Sequence, residues 1–189
     1  MDRQPTITPD VPLTDGTILL RFANQRDSVA VYSYGQDPDI EETAWLPIPF
    51  PCPRDVADHA VREFRLGWSG RHGLTLVITM PPDDDLRGVL HLSIHMAGVG
   101  EISYGIAPPY RGRGLAGRAV GLTAAWAFTQ LRLNRLEIVV TASDIHGLAS
   151  RRVAEKAGFV YAGLRRSHIP ATGCDYADPL YVRSAPVTR

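Results

Sequence analysis

Lysine is almost missing from this chain. Lys156 is the only one among 20 basic residues in a 189-residue sequence, so arginine carries nearly all the positive charge. The 20 acidic residues bring the formal net charge to +0, which argues against nucleic acid or an anionic membrane as the main partner. Arginine clusters can still bind a small anion locally. Cysteine is scarce as well. Cys52 and Cys174 stand alone and make neither a disulfide framework nor a metal cluster, and each reads as buried or incidental rather than as a nucleophile. No uninterrupted apolar run reaches the about 18 residues of a membrane span. The opening MDRQPTITPD is acidic and proline-bearing and has no apolar core, which argues against a secretory leader. Together these absences point to a soluble cytoplasmic protein. The apolar share of 44% over this length suits one domain, residues 1–189, with a real core.

Metal-ligand spacing is absent too. His59, His72, His146 and His168 form no recognisable pattern. His91 and His95 are four apart, but on a strand that spacing does not bring them together as a helix would. The run Asp83-Asp84-Asp85 lacks the regular spacing of a calcium loop and reads as a solvated turn. No metal is expected.

What is present is a succession of strand and helix patterns. A turn at Asp15-Gly16 precedes a strand at TILLRFA, and NQRDSVAVYSYG suits a short helix opened by Asn24 or Asp27. Residues 35–53 form a long irregular region with a possible helical turn at its acidic stretch. Val56, Ala60, Val61 and Phe64 recur at helical spacing, behind Pro53 or Asp55 as opener. HGLTLVITM is a strand, PPDDDLRG a turn, and VLHLSIHM and EISYGI are two more strands. Pairing His95 with Glu101 across a five-residue loop sets Ile94 against Ile102 and Leu92 against Tyr104. His91, His95, Glu101 and Ser103 then share the polar face. Leu115, Ala119, Leu122 and Trp126 stripe a helix, RLEIVVTA is a buried strand, and LASRRVAEKAG is a helix with Ala149, Val153 and Ala157 on one side. Gly158 suits its C-cap. FVYAGLRR and DPLYVRS supply the last strands.

The stretch SYGIAPPYRGRGLAGRAVG joins a strand to a helix through glycines and arginines. Glycine at a helix start is costly unless a special dihedral or a close approach requires it. A helix N-terminus offers free N–H groups and a positive dipole end to phosphate, so Arg111 to Ala116 suit a pyrophosphate. The loop lacks the Gly-Lys-Ser/Thr ending of a phosphate-binding P-loop. Gly112, Gly114 and Gly117 do match the spacing of a dinucleotide fingerprint, but the strands before them read as a hairpin.

GEISYGIAPPYRGRGLAGRAVGLTAAWAF followed by RLNRLEIVVTASDIHGLASRRVAEKAGFVYAG resembles the GCN5-related N-acetyltransferases (GNAT), and most of all their ribosomal-protein N-terminal acetyltransferase branch. The resemblance is strongest from about Gly100 to Gly163. It implies an α/β (α+β) fold: a mixed, twisted sheet with helices on both faces and a splayed strand pair that binds acetyl-CoA. The family motif Gln/Arg-x-x-Gly-x-Gly/Ala falls on Arg111, Gly114 and Ala116. The resemblance therefore implies that backbone N–H groups of Arg111, Gly112, Arg113, Gly114, Leu115 and Ala116 hold the pyrophosphate. It implies that Tyr104, Gly105 and Ile106 bond the pantetheine arm. In the second motif, GLAS puts Gly147 where relatives carry Asn and keeps Ser150, and Ala154 replaces a tyrosine general acid. His146 could take over the missing contact.

Acetyl transfer to an amine needs a base, a polarised carbonyl and a tolerated thiolate, but no covalent intermediate. Glu101 is the leading base, directly or through water, with His95 and His91 as further candidates; Ser150 is the thiolate partner and a backbone N–H near Ile106 the polariser. The acceptor, a peptide N-terminus or a small-molecule amine, is expected to enter over residues 35–70 and 168–178, where Trp45, Phe50, Trp68 and Tyr176 could wall it and acidic residues at 37–42 attract it. The expected protein is a monomer or homodimer with acetyl-CoA as co-substrate. The rival readings are a CoA-binding regulatory protein without transferase activity and, from glycine spacing alone, a nicotinamide-dependent reductase.

Overall fold

Strict alternation in the apolar strands decides which way the sheet faces. The computed structural model describes residues 12–38, 48–66, 73–140, 147–169 and 174–186. Its strands are β1 (Leu13–Thr14), β2 (Leu19–Arg21), β3 (Leu74–Met80), β4 (Asp83–Met96), β5 (Val99–Ile106), β6 (Arg135–Val139), β7 (Val160–Ile169) and β8 (Cys174–Ser184). They form an 8-stranded sheet in the order β1-β2-β3-β4-β5-β6-β8-β7. Among the described residues only β5 and β6 run parallel. The helices are α1 (Asp27–Tyr34), α2 (Arg54–Arg65), α3 (Leu115–Thr129) and α4 (Gly147–Lys156).

One face of the sheet presents Leu76, Leu90, Ile102, Leu136 and Ile138 to Ala119, Val120 and Ala124 of α3. The other presents Val77 and Val89 to Val31 of α1 and to Ala60, Val61 and Phe64 of α2. Burying each large aliphatic side chain contributes about 1.5–3 kcal/mol, so both helix layers are held by the same alternating strands. The result is the mixed α/β sheet flanked by helices that the sequence predicts.

Three local expectations are corrected. In the β4–β5 hairpin Ser93 faces Glu101, Leu92 faces Ile102 and Leu90 faces Tyr104, so His95 does not pair with Glu101 in register. Met96 pairs with Val99, leaving Ala97-Gly98 as the turn with Gly98 at φ 78°, and an irregularity beside His95 absorbs the difference. Up to Ile94 the shift is by an even number of residues, so the side chains there keep their predicted face. Next, the turn at Pro81-Pro82 is tight and β4 starts at Asp83, so the acidic run lies on a strand. There Asp84 binds Arg21 at 2.5 Å and also Arg26, and Asp83 lies 3.2 Å from Arg87. Last, Ala149 is exposed; α4 buries Gly147 and Ala154 instead. Gly158, at φ 81°, does end this helix: its N–H donates to Glu155 and that of Phe159 to Ala154, both at 3.0 Å.

Gly88 lies where β4 meets the end of β5. A Cβ there would lie 2.4 Å from the Gly105 carbonyl oxygen and 2.8 Å from Ile106 Cδ1. Gly88→Ala is expected to destabilise the protein by about 1–3 kcal/mol, read in chemical denaturation. An unchanged midpoint would show that the two strands can part without cost.

Candidate cofactor and acceptor site

The site begins where two strands separate. Among the described residues β5 and β6 pair through Val99–Arg135, Gly100–Leu136 and Glu101–Glu137, and no further. Beyond Glu101, β5 stays bonded to β4 as far as the Ile106–Gly88 pair, while β6 stays bonded to β8 through Val139–Leu180. The edge of β5 from 102 to 106 therefore turns toward a gap in the sheet. Backbone N–H and C=O groups along such an edge are ready to pair with an extended ligand.

The loop that follows is built from its own backbone. Ala107 N–H donates to Arg87 at 2.9 Å, a 3-10 turn spans Pro108–Tyr110, and Arg111 N–H donates to Pro108 at 3.3 Å. Arg111 Nε donates to the Ile106 carbonyl at 3.0 Å, and its Nη2 binds Asp37 at 2.5 Å. Arg87 donates to the Tyr110 hydroxyl and stacks on its ring at 4.4 Å, with Arg113 at 5.5 Å. Gly112 and Gly114 sit at φ 76° and 77°, which only glycine adopts without strain. Among the described residues a Cβ on either would meet nothing within 4 Å, so backbone dihedral, not crowding, selects them. Among the described residues no side chain caps the first turn of α3. Its leading N–H groups are thus without a side-chain cap, an arrangement that suits phosphate. Gly117 also has nothing within 4 Å of a built Cβ. The third glycine of a dinucleotide fingerprint exists for close helix–strand packing, which is absent at this position.

The polar face opposite α3 gathers charge. Glu101 and Glu137 are register neighbours on β5 and β6. Arg165 of β7 lies between them, 2.6 Å from Glu101 Oε2 and 3.4 Å from Glu137 Oε2; the contact to Glu101 is an ion pair rather than an aligned hydrogen bond. His95 Nε2 is 3.4 Å from Glu101 and 3.0 Å from the Ser93 hydroxyl. The bulge thus brings His95 to Glu101 even though the register does not. His91 Nδ1 is 2.9 Å from the Thr75 hydroxyl.

Residues 17–160 match the family described as Acetyltransferase (GNAT) domain. The chain belongs to this GNAT acetyltransferase family. It is 34% identical over 94 residues to the probable N-acetyltransferase YjcK of Bacillus subtilis, a match that spans 48% of this chain and 50% of that protein. In solved structures the fold recurs in a GNAT-family acetyltransferase from Bacillus anthracis, at TM-score 0.77 and 18% identity over 93% of this chain and 99% of that one. It recurs in a putative ribosomal-protein-serine acetyltransferase from Vibrio cholerae, at TM-score 0.75 and 18% identity over 94% and 99%. RimJ of Mycobacterium smegmatis, solved with CoA-disulfide, shares it at TM-score 0.69 and 23% identity over 93% and 86%.

The structure shows the surroundings of Gly147 and Ala154, the two positions where the resemblance implies Asn and Tyr. Gly147 is buried at the start of α4, and Ala154 is fully buried in the core beneath the turn that ends the helix. Ser150, half-buried in the first turn of α4, meets Tyr104 of β5, whose hydroxyl donates to the Ser150 carbonyl at 3.3 Å. Burial pushes the Tyr104 phenol up to about 12, against the smaller opposing pull of Ser150. It is neutral and a hydrogen-bond donor at all ordinary pH. Sequence reading assigned Tyr104 a backbone role and missed this hydroxyl, and it missed Arg165 and Glu137 entirely.

The remaining expectations are only partly covered. Trp45, Trp68 and His146, the acidic stretch at 39–42 and the Tyr176 side chain lie outside the described residues. Phe50 is exposed. Cys52 is buried against Gly35, and burial pushes its thiol up, away from a nucleophile's range. Among the described residues no three His, Cys, Asp or Glu side chains are grouped so as to hold a metal ion, and no helix is long and apolar enough to cross a membrane.

Proposed function

We propose that this protein is an acyl-CoA-dependent N-acetyltransferase that moves acetyl from acetyl-CoA directly to a primary amine, on a peptide N-terminus or a small molecule. The observation that carries the reading is the gap between β5 and β6, which leads into the uncapped, glycine-shaped start of α3. The residues present fit the cofactor. The edge at Tyr104, Gly105 and Ile106 suits the pantetheine arm, and the backbone from Arg111 to Ala116 suits the pyrophosphate. When bound, acetyl-CoA supplies the thioester carbonyl that the amine attacks.

Each of the chain's own groups has a task in that reaction. Glu101 takes the proton that the attacking amine must lose, directly or through water. His95 and His91 share its face and are the other bases in reach of the acceptor. With Glu137 the carboxylates attract a cationic amine, and Arg165 fixes both in place. A backbone N–H near Ile106 polarises the carbonyl. The Ser150 hydroxyl steadies the departing thiolate, beside the neutral phenol of Tyr104. The similarity to ribosomal-protein acetyltransferases in fold supports a peptide amine.

Calorimetric titration with acetyl-CoA, CoA and NADH is the direct test, followed by an amine screen with thiol-release detection. Selective binding of the CoA compounds at micromolar Kd, about −8 kcal/mol, and amine-dependent thiol release are expected. Folded protein that ignores CoA would refute the proposal. Binding without release on any amine would favour the regulatory reading, to which the replacement of the family's Asn and Tyr by Gly147 and Ala154 lends its support.

A further inference from the structure

Asp37 and Arg111 are 74 positions apart in sequence, yet the carboxylate accepts a hydrogen bond from the guanidinium at 2.5 Å. The pair joins two layers: Asp37 follows α1 on one face of the sheet, and Arg111 precedes α3 on the other. Asp37 is held from behind. Its N–H donates to Tyr34 at 3.1 Å, Cys52 N–H donates to Gly35 at 3.0 Å, and Gln36 Nε2 donates to the Cys52 carbonyl at 2.8 Å. A Cβ on Gly35 would come 2.3 Å from Cys52 Cβ, so this corner is locked against the entry to α2. On the other side, Arg111 Nε is committed to the Ile106 carbonyl at the end of β5. One guanidinium thus fastens the strand end, the glycine loop and the corner after α1 together. Its Nε and Nη2 are turned toward protein partners.

We propose that Asp37 is a positioning residue that, through Arg111, holds the loop at 107–114 in its cofactor-binding shape and ties that shape to the segment leading into α2. This rests on the acyl-CoA reading above. The sign of one measurement separates it from the plain electrostatic alternative. A carboxylate near a phosphate site repels the ligand, so neutralising it would tighten binding if charge were all that mattered. Loss of a positioning contact weakens binding instead.

The experiment is calorimetric titration of the full chain with CoA, for wild type, Asp37→Asn, Arg111→Ala and the double variant. Asp37→Asn, which keeps an acceptor oxygen but not its charge, is expected to raise the Kd about fivefold, the scale of a charge-assisted hydrogen bond reduced to a neutral one. In the Arg111→Ala background the same change is expected to add nothing, because its route is already cut. Arg111→Lys, which keeps the charge but not the forked geometry, should weaken binding like Asp37→Asn; it serves equally if that variant does not fold. Unchanged or tighter binding by Asp37→Asn, an equal loss in both backgrounds, or full binding by Arg111→Lys would overturn the inference while wild type still binds CoA. Wild type that fails to bind CoA overturns the acyl-CoA reading and this inference with it.

Discussion

Glu101→Gln is expected to lower kcat by about 10²–10³-fold on any amine that wild type acetylates, with the Kd for CoA within a factor of about two. Glutamine matches the shape of glutamate but cannot take a proton at neutral pH. The fold should tolerate it, because Arg165 keeps Glu137 as a partner. CoA binding should tolerate it too, because Glu101 lies where β5 and β6 are still paired, ahead of the gap. The measurement is steady-state thiol release beside calorimetric binding. A kcat close to wild type would remove Glu101 as base and move the role to a histidine. His95 is more than half exposed and 3.4 Å from Glu101, so His95→Ala would then carry the large loss. If Glu101 is the base, His95→Ala should cost only a few-fold.

The pair of candidates was legible in the sequence for a reason that survives the corrected register. Strand periodicity fixes the face of a side chain, and a displacement by an even number leaves the face intact. It does not fix the partner, which depends on turn length and bulges; Ala97-Gly98 and the irregularity at His95 settled that. The glycine loop was legible because its dihedrals demand glycine at Gly112 and Gly114, and that demand shows in a sequence. Arg165 was invisible. It reaches Glu101 from β7, and no local pattern distinguishes it from Arg166 beside it. The Asp37–Arg111 pair was missed on the same ground: long-range ion pairs leave no periodic trace. Ala149 failed for another reason. A short helix with small residues on more than one side offers two neighbouring stripes, and only packing against α3 and the Schellman-type end at Gly158 selects the one through Ala154.

Asp27→Ala is expected to cost about 3 kcal/mol and to lower the unfolding midpoint by roughly 6–12 °C at this chain length. Asp27 is 2% exposed as a side chain and grips Arg21 with both oxygens, at 2.7 and 2.9 Å, while accepting the Asn24 N–H at 2.7 Å. Removing it leaves a mostly buried guanidinium with less compensation and the start of α1 without its anchor. The loss stays at the lower end of the range for buried pairs because Arg21 retains Asp84 at 2.5 Å and the Phe22 and Asp84 carbonyls at 3.0 and 2.7 Å. Two comparisons test the cause. Arg26→Ala removes a guanidinium from the same Asp84 but at an exposed position, and should cost under about 1 kcal/mol. Replacing Arg21 by Met and Asp27 by Leu together should recover much of the loss, since the cost of Asp27→Ala lies in the stranded charge rather than in the value of the pair. A double variant no more stable than Asp27→Ala would mean instead that the Asn24 N–H contact at the head of α1 dominates, and Asp27→Asn, which keeps an acceptor oxygen there, would then be the milder change.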